Sequence, residues 1–142
     1  MTIISGGQTG IDRMGLEVAK ELGLTTGGFA PKGYRTETGE DKSLATFGLQ
    51  EHTGREYNER TELNVLFSGG TIIFGNEKSA GSKLTIKLLN KHQKPYLINP
   101  TVEQIKSFIK TKDIVNIAGN RASKIDPKDL EKYRQTLKEG LA

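Results

Sequence analysis

The sequence predicts an α/β fold, a three-layer α/β/α sandwich around a mainly parallel five-stranded sheet. Short apolar runs alternate with stretches of helical periodicity from end to end. Thr71-Ile72-Ile73-Phe74 is a continuous run without polar alternation, as a strand covered on both faces requires. Loops rich in glycine or polar residues follow several of the strands directly. A chain of 142 residues suits one domain spanning 1–142.

Met1–Ser5 reads as a short buried strand stopped by Gly6-Gly7. Ile11, Gly15, Val18 and Leu22 fall at helical spacing, and Gly23 closes that helix. Gly27–Ala30 is the second strand, ended by Pro31. Residues 32–56 are long, polar and poorly periodic, the character of a functional or mobile loop. Tyr57–Ser68 is a helix stopped by Gly69-Gly70, and Thr71–Phe74 the third strand. Ser82–His92 is a helix with Ser82 as its N-cap, and Pro95–Ile98 a fourth strand. Val102, Ile105, Phe108 and Ile109 mark a fourth helix, and Ile114–Ala118 a fifth strand. Asp126 caps the last helix, with Pro127 in its first turn and Leu130, Tyr133, Leu137 and Leu141 in register. Right-handed crossovers favour a strand order of 2-1-3-4-5, with 3-2-1-4-5 as the other choice. The whole is Rossmann-like.

Composition narrows the function classes. The absence of cysteine removes disulfides, thiolate metal sites and a cysteine nucleophile, and fits a reducing, cytoplasmic setting. No apolar run approaches the roughly 20 residues that span a bilayer, and Met1–Gly6 lacks the pattern of a signal peptide. The net charge of +4 is uneven: residues 1–75 carry 7 basic and 10 acidic side chains, and the remainder is strongly basic. Lys83, Lys87, Lys91 and Lys94 read as a solvated helix face, and with few aromatic residues a nucleic-acid platform is not expected. Neither His52 nor His92 sits in a metal-binding spacing, so no metal site is expected. No GxSxG elbow is present.

In open parallel sheets the ligand lies beyond the carboxyl ends of the strands. The first loop there, Ser5-Gly6-Gly7-Gln8-Thr9-Gly10, runs from strand to helix and offers backbone amides and hydroxyls to an anion, although it is neither GxGxxG nor a Walker pattern. A tight turn without a ligand would look similar. The second, Gly75–Ser82, offers Ser79, Gly81 and Ser82 to a neighbouring anionic group. The third places Arg121 and Ser123 directly after a strand, where an arginine can grip a phosphate or carboxylate. Lys32 and Arg35 add cations from the long loop. Arg60, Thr61 and Asn64 form a polar stripe on the Tyr57–Ser68 helix, with Tyr57 one turn earlier. Asp12 and Glu62 are the candidate acids or bases, with Glu37 behind them, should the ligand be transformed.

Ser5–Arg13, Pro31–Arg35, Arg60–Val65, Ser79–Ser82 and Asn116–Ser123 together resemble the putative molybdenum carrier family, with the motifs in matching order over nearly the whole chain. The resemblance implies a Rossmann-like fold akin to the lysine-decarboxylase-like or LOG group, in which loops after the strands face a nucleotide or a nucleotide-derived signal. It also implies that molybdenum cofactor, whose pterin bears a phosphate, is a candidate ligand. LOG phosphoribohydrolases use a PGGxGTxxE motif; the nearest glycine pair here, Ser68-Gly69-Gly70-Thr71, precedes a strand and lacks the downstream glutamate. The expectation is therefore a protein that holds a phosphate-bearing small molecule, either nucleotide derivative, ADP-ribose-type signal or molybdenum cofactor, for carriage or sequestration. A nucleotide hydrolase is the alternative. A homo-oligomer, dimer or tetramer, is expected from fold analogy.

Overall fold

The computed structural model describes residues 1–52 and 57–142; the side chain of Tyr57 lies outside the description as well. The elements run β1 (Thr2–Ile4), α1 (Ile11–Glu21), β2 (Thr25–Pro31), β3 (Arg35–Thr36), β4 (Gly39–Glu40), β5 (Leu49–His52), α2 (Tyr57–Phe67) and β6 (Gly70–Phe74). They continue with α3 (Ala80–Lys91), β7 (Tyr96–Ile98), α4 (Val102–Ile109), β8 (Ile114–Gly119) and α5 (Pro127–Leu141). Among the described residues, no helix is long and apolar enough to cross a membrane.

The fold is Rossmann-like, with a parallel sheet of order β5-β2-β1-β8-β6-β7 and helices on both faces. This corrects the expected strand orders. The fifth expected strand, β8, does not sit at the edge; it is inserted between the first and third, pairing Ile3 with Val115 on one side and Ile72 with Ile117 on the other. Local periodicity identifies strands, but their order is set by which nonlocal faces bury together. Val115 and Ile117 have no exposed surface, as a central strand demands.

A sixth strand, β5, stands in the segment 32–56 whose polar sequence predicts a loop. Its sequence Leu49-Gln50-Glu51-His52 has one apolar side chain, which is buried, and it pairs only along β2, at the edge of the sheet. The rest of the long polar segment is a strap. It comprises two 3-10 turns (Lys32–Tyr34 and Lys42–Phe47) around the small antiparallel hairpin β3–β4. Leu44 and Phe47 are buried against Leu16, Ala30 and Leu49, so the base of the strap belongs to the core.

Strand alternation sorts the remaining core. Ile3, Ile72, Phe74, Val115 and Ile117 meet α1, α4 and α5 through Ile11, Met14, Val18, Ile105 and Leu137. Ile73, one residue out of phase, meets Val65 of α2 and Leu88 and Leu89 of α3 on the opposite face. Burial of each large apolar side chain stabilises by about 1.5–3 kcal/mol before chain entropy is counted. Gly15 lets α1 approach β8 closely: a Cβ there would lie 2.8 Å from the Ile117 side chain. The N-cap of α3 is Ser79, whose side chain accepts from the Ser82 amide, so Ser82 sits inside the helix and does not cap it. Asp126 caps α5 with Pro127 at its start, as the sequence indicates.

Candidate functional site

The strand order has one reversal, where chain connectivity passes to opposite sides of the β1–β8–β6 centre, and the carboxyl ends of these strands open into a cavity of about 600 Å³. That volume falls in the range of small-molecule sites. Its walls come from four places: the loop after β1 (Gly6, Gln8, Asp12), helix α2 (Arg60, Thr61, Asn64), the loop after β6 with the start of α3 (Asn76, Ser79, Gly81, Ser82, Thr85), and the end of β8 (Asn116, Asn120, Arg121, Lys124).

The β1 loop is largely closed on itself. The Gly7 amide donates to Ser5 Oγ at 3.3 Å, and the Thr9 amide to Gln8 Oε1 at 3.0 Å. The Gln8 amide donates to the Asp12 carboxylate at 3.4 Å, and the Gly6 amide reaches the same carboxylate. Ser5 is buried, its hydroxyl donating to the Asp12 carbonyl at 3.0 Å. Gly10, at φ +85°, lies so close to the β8 loop that a Cβ would come within 2.7 Å of the Ala122 amide. Glycines here let two loops touch. Asp12 is buried beside Arg60. Burial pushes its carboxyl up to about 6, against the lowering effect of the Arg60 guanidinium and the Gln8 and Gly6 amides.

The start of α3 forms another wall. Ser79 Oγ takes the Ser82 amide at 3.3 Å, while among the described residues neither the Ala80 nor the Gly81 amide makes a hydrogen bond. Ser82 is 4% exposed and lines the cavity, yet among the described residues its hydroxyl has no partner. A buried hydroxyl without a hydrogen bond is costly, and the amides of a first helical turn carry the positive end of the helix dipole. The start of α3 thus forms one wall of the cavity, which Arg60 of α2 also lines.

The loop after β8 ties these walls together. Asn120, 6% exposed, accepts from the Asn76 amide at 2.6 Å and donates to the Asn76 carbonyl at 3.3 Å and to Ser79 Oγ at 3.0 Å. Asn116 donates to Thr71 Oγ1 at 3.2 Å on the cavity floor.

Of the residues singled out in the sequence, Gly6, Gln8, Asp12, Arg60, Asn64, Ser79, Gly81, Ser82 and Arg121 line the cavity. Ser5, Gly7, Thr9, Gly10 and Ser123 lie next to it in the loops that shape it. Asn64 is committed to packing: its amide exchanges hydrogen bonds of 2.9 and 3.0 Å with the Phe29 backbone, docking α2 on β2. Lys32 and Arg35 are exposed on the strap and do not line the cavity. Glu62 is also outside it, held by His92 Nε2 at 2.8 Å and Lys91 Nζ at 3.2 Å, contacts that draw its carboxyl below the usual range, His92 foremost. Gly69-Gly70 lies at the amino end of β6, away from the carboxyl ends where the cavity opens. Asn76, Thr85, Asn116, Asn120 and Lys124 line the cavity without having been singled out; polar residues just beyond an apolar run were the available signal. Among the described residues, no group of three or more histidine or carboxylate side chains converges as a metal site would.

Comparison with known proteins bears on this arrangement. A model of the circularly permutated YpsA SLOG family matches residues 3–141. The chain is also similar to a solved structure named as a putative molybdenum carrier protein from Syntrophus aciditrophicus SB. The identity is 36%, over 99% of this chain and 91% of that one, with a TM-score of 0.78. Comparison with curated proteins gave no match. The strand order accounts for the word permutated: moving β8 and α5 ahead of β1 would give a sheet wound consecutively outward from β8 in both directions.

Proposed function

This chain belongs to the circularly permutated YpsA SLOG family, and from that premise we propose that it binds a phosphate-bearing small molecule for carriage or sequestration. The ligand class is a nucleotide derivative, with an ADP-ribose-type signal or molybdenum cofactor as specific members. One observation carries the proposal: the start of α3, with its Ala80 and Gly81 amides and the buried Ser82 hydroxyl that has no partner among the described residues, stands in the wall of a cavity that Arg60 also lines. A phosphate there would take the two amides and meet the guanidinium, and rotation of the Ser82 side chain would bring its hydroxyl to the same anion. The carrier name given to the similar Syntrophus protein supports a carrying role in general. Molybdenum cofactor, in this reading, is cargo held by its phosphate.

Native mass spectrometry of gently purified protein, with identification of what denaturation releases, tests the proposal. A phosphate-bearing molecule at one per chain is the expected result. A retained molecule without an anionic group would overturn it.

A second reading, a nucleotide hydrolase, is favoured by one feature. Asp12 is a cavity carboxyl that burial pushes up to about 6, suited to move a proton. Turnover of a nucleotide by the wild type, lost in Asp12→Asn, would select this reading. A homo-oligomer belongs to the proposal too, supported by Leu66 and Phe67 standing 42% and 57% exposed at the end of α2; a monomeric mass at micromolar concentration would refute it.

A further inference from the structure

The tip of the β3–β4 hairpin reaches across to the rim of the cavity and is held there by one carboxylate. Glu37 Oε1 accepts from Thr9 Oγ1 at 2.5 Å and from the Ser123 amide at 3.0 Å; Oε2 accepts from Ser123 Oγ at 2.5 Å, with Arg121 Nε at 3.5 Å. The Glu37 amide donates to Gln8 Oε1 at 2.9 Å. Four donors from two different loops converge on one carboxyl group, and two of the neighbours involved, Gln8 and Arg121, line the cavity itself.

The strap is firm at its base and light at its tip. Leu44 and Phe47 are buried, and Arg13 pairs with Asp41 and donates to Ser43 Oγ at 2.9 Å. By contrast, Glu37, Thr38, Gly39 and Glu40 are exposed as residues, and the Glu37 side chain keeps only 15% exposure because it is turned inward. Gly33 at φ +77° precedes the hairpin and Gly39 at φ +108° stands just after its turn, so both ends of the tip carry backbone that glycine adopts without strain. No apolar contact in the core clusters involves the tip. A donor set this dense around a carboxylate is an anion cradle, and the chain supplies its own anion.

We propose that Thr9, Arg121 and Ser123 form a second anion subsite, filled by Glu37 in the empty protein, which the second phosphate of a diphosphate ligand takes by displacing the hairpin tip. The inference rests on the reading above for the ligand's first phosphate at α3; the capacity of the cradle for an anion stands separately. A phosphate offers three oxygens and more charge than a carboxylate to the same donors. The tethered carboxylate competes at high local concentration, so a monophosphate leaves the hairpin in place and a diphosphate opens it. The hairpin thereby selects for a ligand with two adjacent anionic groups.

The test titrates inorganic pyrophosphate into the isotope-labelled chain while following the Thr9 and Ser123 amides by NMR. Wild type, Glu37→Gln, Glu37→Asp, and Glu37→Gln combined with Arg121→Gln are compared. Removing the competing charge is expected to lower the half-saturating concentration at least about tenfold in Glu37→Gln. Glu37→Asp, which keeps the charge and shortens the reach, falls between, and adding Arg121→Gln cancels the gain. Equal half-saturation in wild type and Glu37→Gln, or no saturable shift at Ser123 in either, would overturn the inference and leave Glu37 a structural tie. The Ala80 and Gly81 amides report the α3 subsite in the same spectra. Their silence would count against the proposed function while leaving the cradle result intact.

Discussion

Asn120 Nδ2 donates to Ser79 Oγ at 3.0 Å while that same oxygen accepts the Ser82 amide and caps α3. One side chain at the end of β8 thus sets the orientation of the helix start whose donors face the cavity. Asn120→Ala would free Ser79 to rotate and would leave the Asn76 amide without its partner. The expected result is a loss of about 1–3 kcal/mol in stability by chemical denaturation, from the three hydrogen bonds lost. Affinity for AMP should fall more than the stability loss alone explains, by about tenfold in calorimetry.

The buried Asp12 carboxyl gives the protein a pH signature. Its folded pKa, pushed up to about 6 from an ordinary 3.8, means the folded chain holds a proton that the unfolded chain has already released. This contribution is fully present below the unfolded value and is lost as pH rises through about 6. Asp12→Asn carries no such ionisation. The stability difference between variant and wild type should therefore move by about 2.4 kcal/mol in the variant's favour between pH 4 and pH 7. Denaturant melts at the two pH values check this; a pH-independent difference would mean Asp12 is ionised at little cost.

Glu62 should be dispensable for the site. Its carboxylate is occupied by His92 and Lys91 outside the cavity. Glu62→Gln is expected to leave nucleotide affinity within about twofold of wild type, with a stability change of about 1 kcal/mol or less, as for a partly exposed ion pair. Affinity for AMP and for ADP-ribose, measured side by side in wild type and variant, checks it.

The alternation of strand and helix was legible because it rests on local periodicity: Ile72 and Phe74 face one layer and Ile73 the other, and Asp126-Pro127 announces α5. The place of β8 was not legible, because pairing of Val115 with Ile3 depends on contacts more than a hundred residues apart in sequence. The edge strand β5 escaped because Leu49 alone among its four residues is buried. At the site, the loops after the strands pointed to Ser82, Gly81 and Arg121, which the cavity gathers. What sequence could not reveal is which amides stay available. The glycine-rich loop after β1 ties its Gly7, Gln8 and Thr9 amides to Ser5, Asp12 and Gln8, while its Gly10 amide, like those of Ala80 and Gly81 at α3, makes no hydrogen bond among the described residues. The Glu37 cradle joins residues 28 and 86 positions apart, a relationship no local motif encodes.

The most direct measurement pairs two readings on Ser82→Ala: unfolding of the ligand-free protein and calorimetric affinity for AMP. If the Ser82 hydroxyl is held unpartnered for a ligand's phosphate, its removal relieves a buried unsatisfied group and raises ligand-free stability by about 1 kcal/mol. The same substitution should weaken AMP binding by about tenfold. A variant that is less stable when empty and binds AMP as wild type does would contradict the account.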